Sequence, residues 1–243
     1  MVRLIPACNF AMPTDPPKTD DVCIVVAAYN EGGRLTPTLR SLAGQGYRNI
    51  VVVDDGSRDD TYQVALAEGV WALRHVINCG QGASLQTGIA FALRKGARYV
   101  VTFDGDGQHS ANEIGRLLEP LRNGTADAAL GSRFLGRTIN MPFSRRLVLK
   151  GGVLFTRAVS RIRVTDAHNG FRAFTRDAAA KLKIKQNRMA HASEILDLIV
   201  QARLRYVEVP VTIRYAAETT AKGQSSWNAV AIVIQYFLGR LVR

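Results

Sequence analysis

YVVTFDGDGQH, residues 99–109, is a short β-branched run that breaks abruptly into carboxylates and glycines. Such a run fits a strand buried on both faces of a parallel sheet, because only that setting removes the need for a polar face. Working outward, Val22 to Ala28 (VCIVVAA) and Ile50 to Val53 (IVVV) have the same character. They end in Tyr29-Asn30-Glu31 and in Asp54-Asp55-Gly56-Ser57. Helical stretches follow each strand: Leu35 to Leu42, Asp59 to Ala67 behind a Ser57/Asp59 cap region, Ser84 to Arg94, and Asn112 to Leu121. Trp71 to Ile77 and Ala126 to Gly131 read as two further strands. Alternation of this kind predicts an α/β fold with an open, predominantly parallel central sheet flanked by helices.

Beyond Gly131 the pattern turns basic. A mostly helical segment from Arg145 to Arg161 precedes a turn at Asp166 to Gly170 and a short strand at Phe171 to Phe174. A helix from Ala190 to Arg203 then leads into Tyr206 to Tyr215, whose alternation suggests a strand with Pro210 at an edge or bulge. Trp227 to Val242 is apolar but broken by Gln235, Gly239 and Arg240. A bilayer span takes about 20 predominantly apolar residues, so this helix is expected to lie on a membrane surface, pack on the core or join two copies as a homodimer.

The chain of 243 residues, 47% hydrophobic, suits one domain over residues 21–243, in two halves that meet at about residue 130. Residues 1–20 hold Pro6, Pro13, Pro16 and Pro17 without an apolar signal core and are expected to form a loose arm. Cys8, Cys23 and Cys79 have no metal-ligand spacing and read as reduced thiols of a cytoplasmic protein. Between Arg133 and Arg188 stand 14 Lys or Arg against Asp166 and Asp177, a surplus equal to the whole net charge of +12. Such a block suits an anionic substrate, an anionic membrane surface, nucleic acid, or simply a solvated face. Its scarcity of stacking aromatics argues against nucleic acid.

Ligands of open α/β sheets bind beyond the carboxyl ends of the strands, so the acidic strand ends carry the chemistry. Carboxylates gathered on one edge repel each other unless a cation sits among them. Asp104 and Asp106, separated by Gly105, suit Mg²⁺ or Mn²⁺, and Gln108 adds a neutral oxygen. His109 reads either as a ligand or as a cap of the next helix. Asn78 to Ser84 (NCGQGAS) opens a helix after the third strand, with Gly80 at a point where backbone N–H groups cradle a diphosphate; a tight strand-to-helix turn needs the same glycines.

Six ordered motifs, AAYNE (27–31), VVDDGSRDDT (52–61), NCGQGASLQTGI (78–89), TFDGDGQH (102–109), GSRF (131–134) and DAHNGFRAF (166–174), resemble the family 2 glycosyltransferases of the GT-A fold. Within that family they are similar to the dolichol-phosphate and polyprenol-phosphate sugar synthases. The resemblance runs from about Val22 to the C-terminus. It implies a nucleoside diphosphate sugar donor held by Tyr29, Glu31 and Asp55, with Asp104, Asp106 and Gln108 on the metal and diphosphate. It also implies that Arg133, Arg145 and Arg172 face a lipid phosphate acceptor, and that transfer inverts the anomeric centre. Ala27 and Gln81 stand where the family often has proline and lysine. A phosphate acceptor is already an anionic nucleophile, and an arginine-rich second half suits it. The rival acceptor is a glycan hydroxyl, with those arginines serving structure. A sugar-nucleotide pyrophosphorylase is disfavoured, because Tyr29-Asn30-Glu31 replaces the glycine-rich loop it needs after the first strand. His168, His191 and Glu194 read as structural, Glu194 being the best catalytic candidate of the three.

Overall fold

The computed structural model describes residues 19–142, 146, 149–154, 157, 162–187 and 190–215. Seven strands form one sheet in the order β3-β2-β1-β4-β6-β5-β7. The strands are β1 (Val22–Ala28), β2 (Ile50–Asp54), β3 (Trp71–Arg74), β4 (Tyr99–Asp104), β5 (Ala128–Ile139), β6 (Arg172–Thr175) and β7 (Tyr206–Arg214). All run parallel except β6, which enters antiparallel between β4 and β5. The helices are α1 (Gly32–Gly44), α2 (Thr61–Ala67), α3 (Gln81–Arg94), α4 (Ile114–Arg122) behind a 3₁₀ turn at Ala111–Glu113, α5 (Arg176–Lys181) and α6 (His191–Gln201).

The apolar run of β1 is continuous because both of its faces are covered. Val22, Ile24 and Val26 join Leu35, Leu39 and Leu42 of α1 and Leu117 and Leu121 of α4 in one core layer. Cys23 and Val25 join Leu85 and Ile89 of α3 and Ile195 and Ile199 of α6 in the other. Burial pushes the Cys23 thiol up to about 12, which leaves it protonated and inert, as a reduced structural cysteine should be.

Helix α3 lies close on the sheet because residue 88 has no side chain. A Cβ at Gly88 would overlap Val25 Cγ1 and come within 3.3 Å of Val53 Cγ2. Gly88→Ala is therefore expected to cost about 1–3 kcal/mol by overpacking. Urea denaturation of the two proteins measures it, the midpoint falling with little change in slope.

Several boundaries differ from the sequence expectation. Strand β5 continues to Ile139, with an irregularity in its pairing to β7 between Ser132 and Arg137. Strand β6 starts at Arg172, one residue after Phe171. Helix α5, capped by the Thr175 hydroxyl accepting from Ala178 N–H, was not anticipated. Ser57 does not cap α2. Its hydroxyl accepts from Asn30 N–H at 2.9 Å, while Asp59 accepts from both Gly32 N–H and Thr61 N–H and so serves the starts of α1 and α2 together. Within the basic segment residues 149–154 are helical. The arm at 1–18, Arg145 and the C-terminal stretch from Trp227 to Val242 lie outside the described residues. Among the described residues no helix is long and apolar enough to cross a membrane.

Candidate active site

Strand register gathers the acidic ends on one edge. Ala28 of β1 pairs with Asp54 of β2, and Ala27 pairs with Asp104 of β4, so three strand ends finish almost level. Asp54 is fully buried and makes an ion pair with Arg74 Nε at 3.1 Å. Asp55 turns toward the loop after β3. Its Oδ1 accepts from Cys79 N–H at 2.9 Å and meets His75 Nδ1 at 2.8 Å, and its Oδ2 accepts from Gly80 N–H at 2.7 Å. The N–H groups of Cys79 and Gly80 thus shape the loop around Asp55, and Gly80 takes a positive φ of 94° that favours glycine. Tyr29 is exposed, and Glu31 makes an ion pair with Arg34 at 3.1 Å.

Asp104 is braced from two sides. Gln81 Nε2 donates to Oδ1 and His109 Nε2 meets Oδ2, both at 2.9 Å. The His109 ring packs against Phe103 and Phe171 with centroids 5.4 and 5.1 Å away. His109 therefore does not cap the next helix; its Nε2 braces Asp104. Gly170 closes the third side, since a Cβ there would stand 2.6 Å from Asp104 Oδ2. Gly105, by contrast, has room: a Cβ would meet only ordinary contacts at 3.5 Å. The glycine that the backbone demands is Gly107, with φ 76°.

The two carboxylates titrate apart. Burial works against ionisation of Asp104, but the hydrogen bond and charge of His109, with the charges of His191 and Arg133, hold it below the usual range. Burial and then the charge of Asp104 push Asp106 up to about 6, against the pull of its hydrogen bond from Gln108 N–H. That mutual repulsion is what a divalent cation relieves, and an all-oxygen pair suits a hard ion. The backbone of Gln108 is fixed by Arg214 N–H donating to its carbonyl.

Arg133 and Arg172, expected at an acceptor phosphate, are both buried. Arg133 donates through Nε to Asp166 and through Nη1 to the Tyr215 hydroxyl, each at 2.6 Å. Asp166 is held in turn by Glu208 of β7, which accepts from Thr165 N–H and Asp166 N–H. Arg172 donates to the carbonyls of Asn169, Ala167 and Ala192. Burial lowers its pKa to about 10, which leaves it a cation at neutral pH. Glu194, fully buried, accepts from Lys185 N–H and Gln186 N–H. Burial lowers the pKa of His168, whose ring lies against Gly152.

The model of glycosyl transferase family 2 matches residues 23–183, a span that holds the acidic strand ends, the Gly80 loop and the Asp166 turn. The chain belongs to that family. It is 34% identical over 226 residues to an uncharacterized protein of Methanocaldococcus jannaschii, covering 91% of this chain and 93% of the relative. It is 30% identical over 223 residues to the UDP-N-acetylglucosamine–dolichyl-phosphate N-acetylglucosaminyltransferase of Methanococcus voltae, covering 83% and 89%. Glucosyl-3-phosphoglycerate synthase from Mycobacterium tuberculosis, in complex with Mn²⁺ and UDP-glucose, shares the fold with a TM-score of 0.69 at 18% identity, covering 90% of this chain and 78% of that one. The sheet is that of the GT-A fold, and the protein is a nucleotide-sugar-dependent glycosyltransferase.

For this family 2 enzyme the sequence left most contacts around the carboxylates unread. His75, Gln81 and Gly170 surround the two carboxylate centres, and Asp166 and Glu208 fix Arg133. Asp166 and Gly170 carried a signal as the ends of the DAHNG turn, and Gln81 as the residue where the family often has lysine; His75 and Glu208 carried none.

Proposed function

We propose that this chain transfers a sugar from a nucleoside diphosphate donor, with inversion, to an acceptor hydroxyl on a glycan. The observation that carries donor use is the braced Asp104 and repelled Asp106 at the carboxyl edge, one strand from the Asp55 loop. Asp104 and Asp106, with Gln108, would hold Mg²⁺ or Mn²⁺, consistent with the Mn²⁺ and UDP-glucose bound by the mycobacterial synthase. When bound, such an ion neutralises the charge of the leaving nucleoside diphosphate. Tyr29 and Glu31 line the nucleoside side, and Gln81 and His109 keep Asp104 aimed at the edge.

The acceptor reading rests on the arginines. Both described members of the expected phosphate-binding set are spent on Asp166, Tyr215 and main-chain carbonyls, which leaves them holding the fold. A hydroxyl acceptor needs a base. His191, buried at the head of α6, would take that role in its neutral form in this reading. A lipid phosphate is the second reading, favoured by the relative from Methanococcus voltae, which is named for a dolichyl-phosphate acceptor.

Arg172→Ala separates the two. If Arg172 is structural, the variant unfolds at lower denaturant while the acceptor KM of the folded enzyme stays put. If it binds phosphate, loss of a charge-assisted contact costs about 1.5–3 kcal/mol, roughly ten- to a hundredfold in efficiency toward polyprenol phosphate. Mass spectrometry of products from a panel of glycans and polyprenol phosphate identifies the acceptor directly. A glycosylated polyprenol phosphate with no glycan product overturns the hydroxyl reading.

A further inference from the structure

Among the described residues, outside the Asp104 and Asp106 pair, one cluster offers three different ligand types. Asp55, His75 and Cys79 each present a donor atom, and these atoms lie within 4.8 Å of one another. We infer that they form a binding site for a borderline divalent cation of the zinc class, distinct from the hard-ion site and competing with the donor nucleoside. The competition rests on the proposed donor reading, which puts the nucleoside beside Asp55; the binding site does not.

Donor chemistry selects the ion. A thiolate and an imidazole suit zinc, whereas Mg²⁺ and Mn²⁺ favour the oxygens of Asp104 and Asp106. The groups behind the ligands are already in place. Metal-bound histidine characteristically gives its other ring N–H to a fixed acceptor, and His75 Nε2 lies 3.0 Å from Thr87 Oγ1. Asp55 keeps Oδ2 engaged by Gly80 N–H at 2.7 Å, which orients Oδ1 toward His75 and Cys79. Cys79 N–H donates to the same Oδ1 at 2.9 Å, so the cysteine is tied to the cluster through its own backbone.

Three protein ligands leave the fourth tetrahedral position to water or to a donor oxygen. Cys79 is partly exposed, which gives the ion a way in. Binding needs two adjustments: the Nδ1 to Oδ1 distance of 2.8 Å must widen for both atoms to reach zinc at about 2.0–2.2 Å in tetrahedral geometry, and the Cys79 thiol must leave the Ile77 carbonyl to which it donates at 3.4 Å. The proton balance is explicit. His75 moves its proton from Nδ1 to Nε2, the Cys79 thiol releases one proton to solvent, and the ion takes the place of the hydrogen between His75 and Asp55. No electron is transferred.

The test titrates metal-free full-length protein with Zn²⁺ by calorimetry in two buffers of different ionisation enthalpy, then repeats it with Co²⁺ followed by absorption. One ion per chain, about one proton released and a thiolate-to-cobalt charge-transfer band are expected. Cys79→Ser should remove the band, and His75→Asn should weaken Zn²⁺ at least tenfold. Persistence of the band in Cys79→Ser would place the ion on another cysteine and overturn the site. UDP titrations with and without Zn²⁺, at fixed Mn²⁺, test competition: a weaker UDP affinity supports it, and an unchanged affinity with Zn²⁺ bound overturns it. Mn²⁺-dependent UDP binding by the zinc-free wild type is the separate gauge of the donor reading, so either can fail alone.

Discussion

Asp106→Asn is expected to lower Mn²⁺-dependent binding of UDP, and turnover with it, by at least about a hundredfold, more than the loss typical of a residue that merely supports a metal ligand. The substitution keeps volume and removes the charge that Asp104 opposes. Calorimetric titration of UDP with and without Mn²⁺ measures the binding, and equal affinities in the two proteins would refute the assignment. Acid has a related effect on the wild type. With Asp106 at about 6, its carboxylate protonates as pH falls through that value, so metal affinity should drop there. Without metal the sign of the stability effect reverses. The folded protein binds this proton more tightly than the unfolded chain, so the contribution of Asp106 to stability declines as pH rises between about 4 and about 6. Asp106→Asn should lack that decline, and urea melts across this window report it.

Asp166→Ala should be the most destabilising single change beyond residue 130. The Arg133 to Asp166 pair spans 2.6 Å with 7% and 1% of the two side chains exposed. Removing the aspartate strands a buried guanidinium, a change that costs about 3–5 kcal/mol in comparable buried pairs. For a chain of this size that corresponds to a fall in melting temperature of about 10 °C. Glu208 would also lose the Asp166 N–H geometry it organises. Differential scanning calorimetry decides the matter, and a melting point within a degree or two of wild type would show that the pair is not held as described.

Strand β1 was legible to the residue because burial on both faces leaves a continuous apolar signature. The outer half of β5 was not, since Leu135 and Ile139 are exposed and the stretch lacks a continuous apolar signature. Helix α5 has six residues, too few for a period to register. The two carboxylate clusters were readable as strand ends, but their bracing was not. Gln81 and His109 meet Asp104 only because α3 and β4 share an edge, and the His109 ring is packed by Phe171, distant in sequence but next to β6, the strand paired with β4. Arginines announce charge in a sequence; whether a carbonyl, a carboxylate or a substrate receives it depends on the fold.

The reversed strand β6 constrains how the chain is made. Strands β4 and β5 leave the ribosome before β6, yet in the finished sheet β6 lies between them. Until residue 175 has emerged, β4 has an unfilled edge, and pairing β4 directly with β5 would close the slot that β6 must enter. The nascent protein therefore carries an open, adhesive sheet edge through the synthesis of the whole basic segment. Slowing translation across residues 140–171 should lengthen that exposure and raise chaperone dependence, whereas slowing it after residue 215, once β7 is complete, should not.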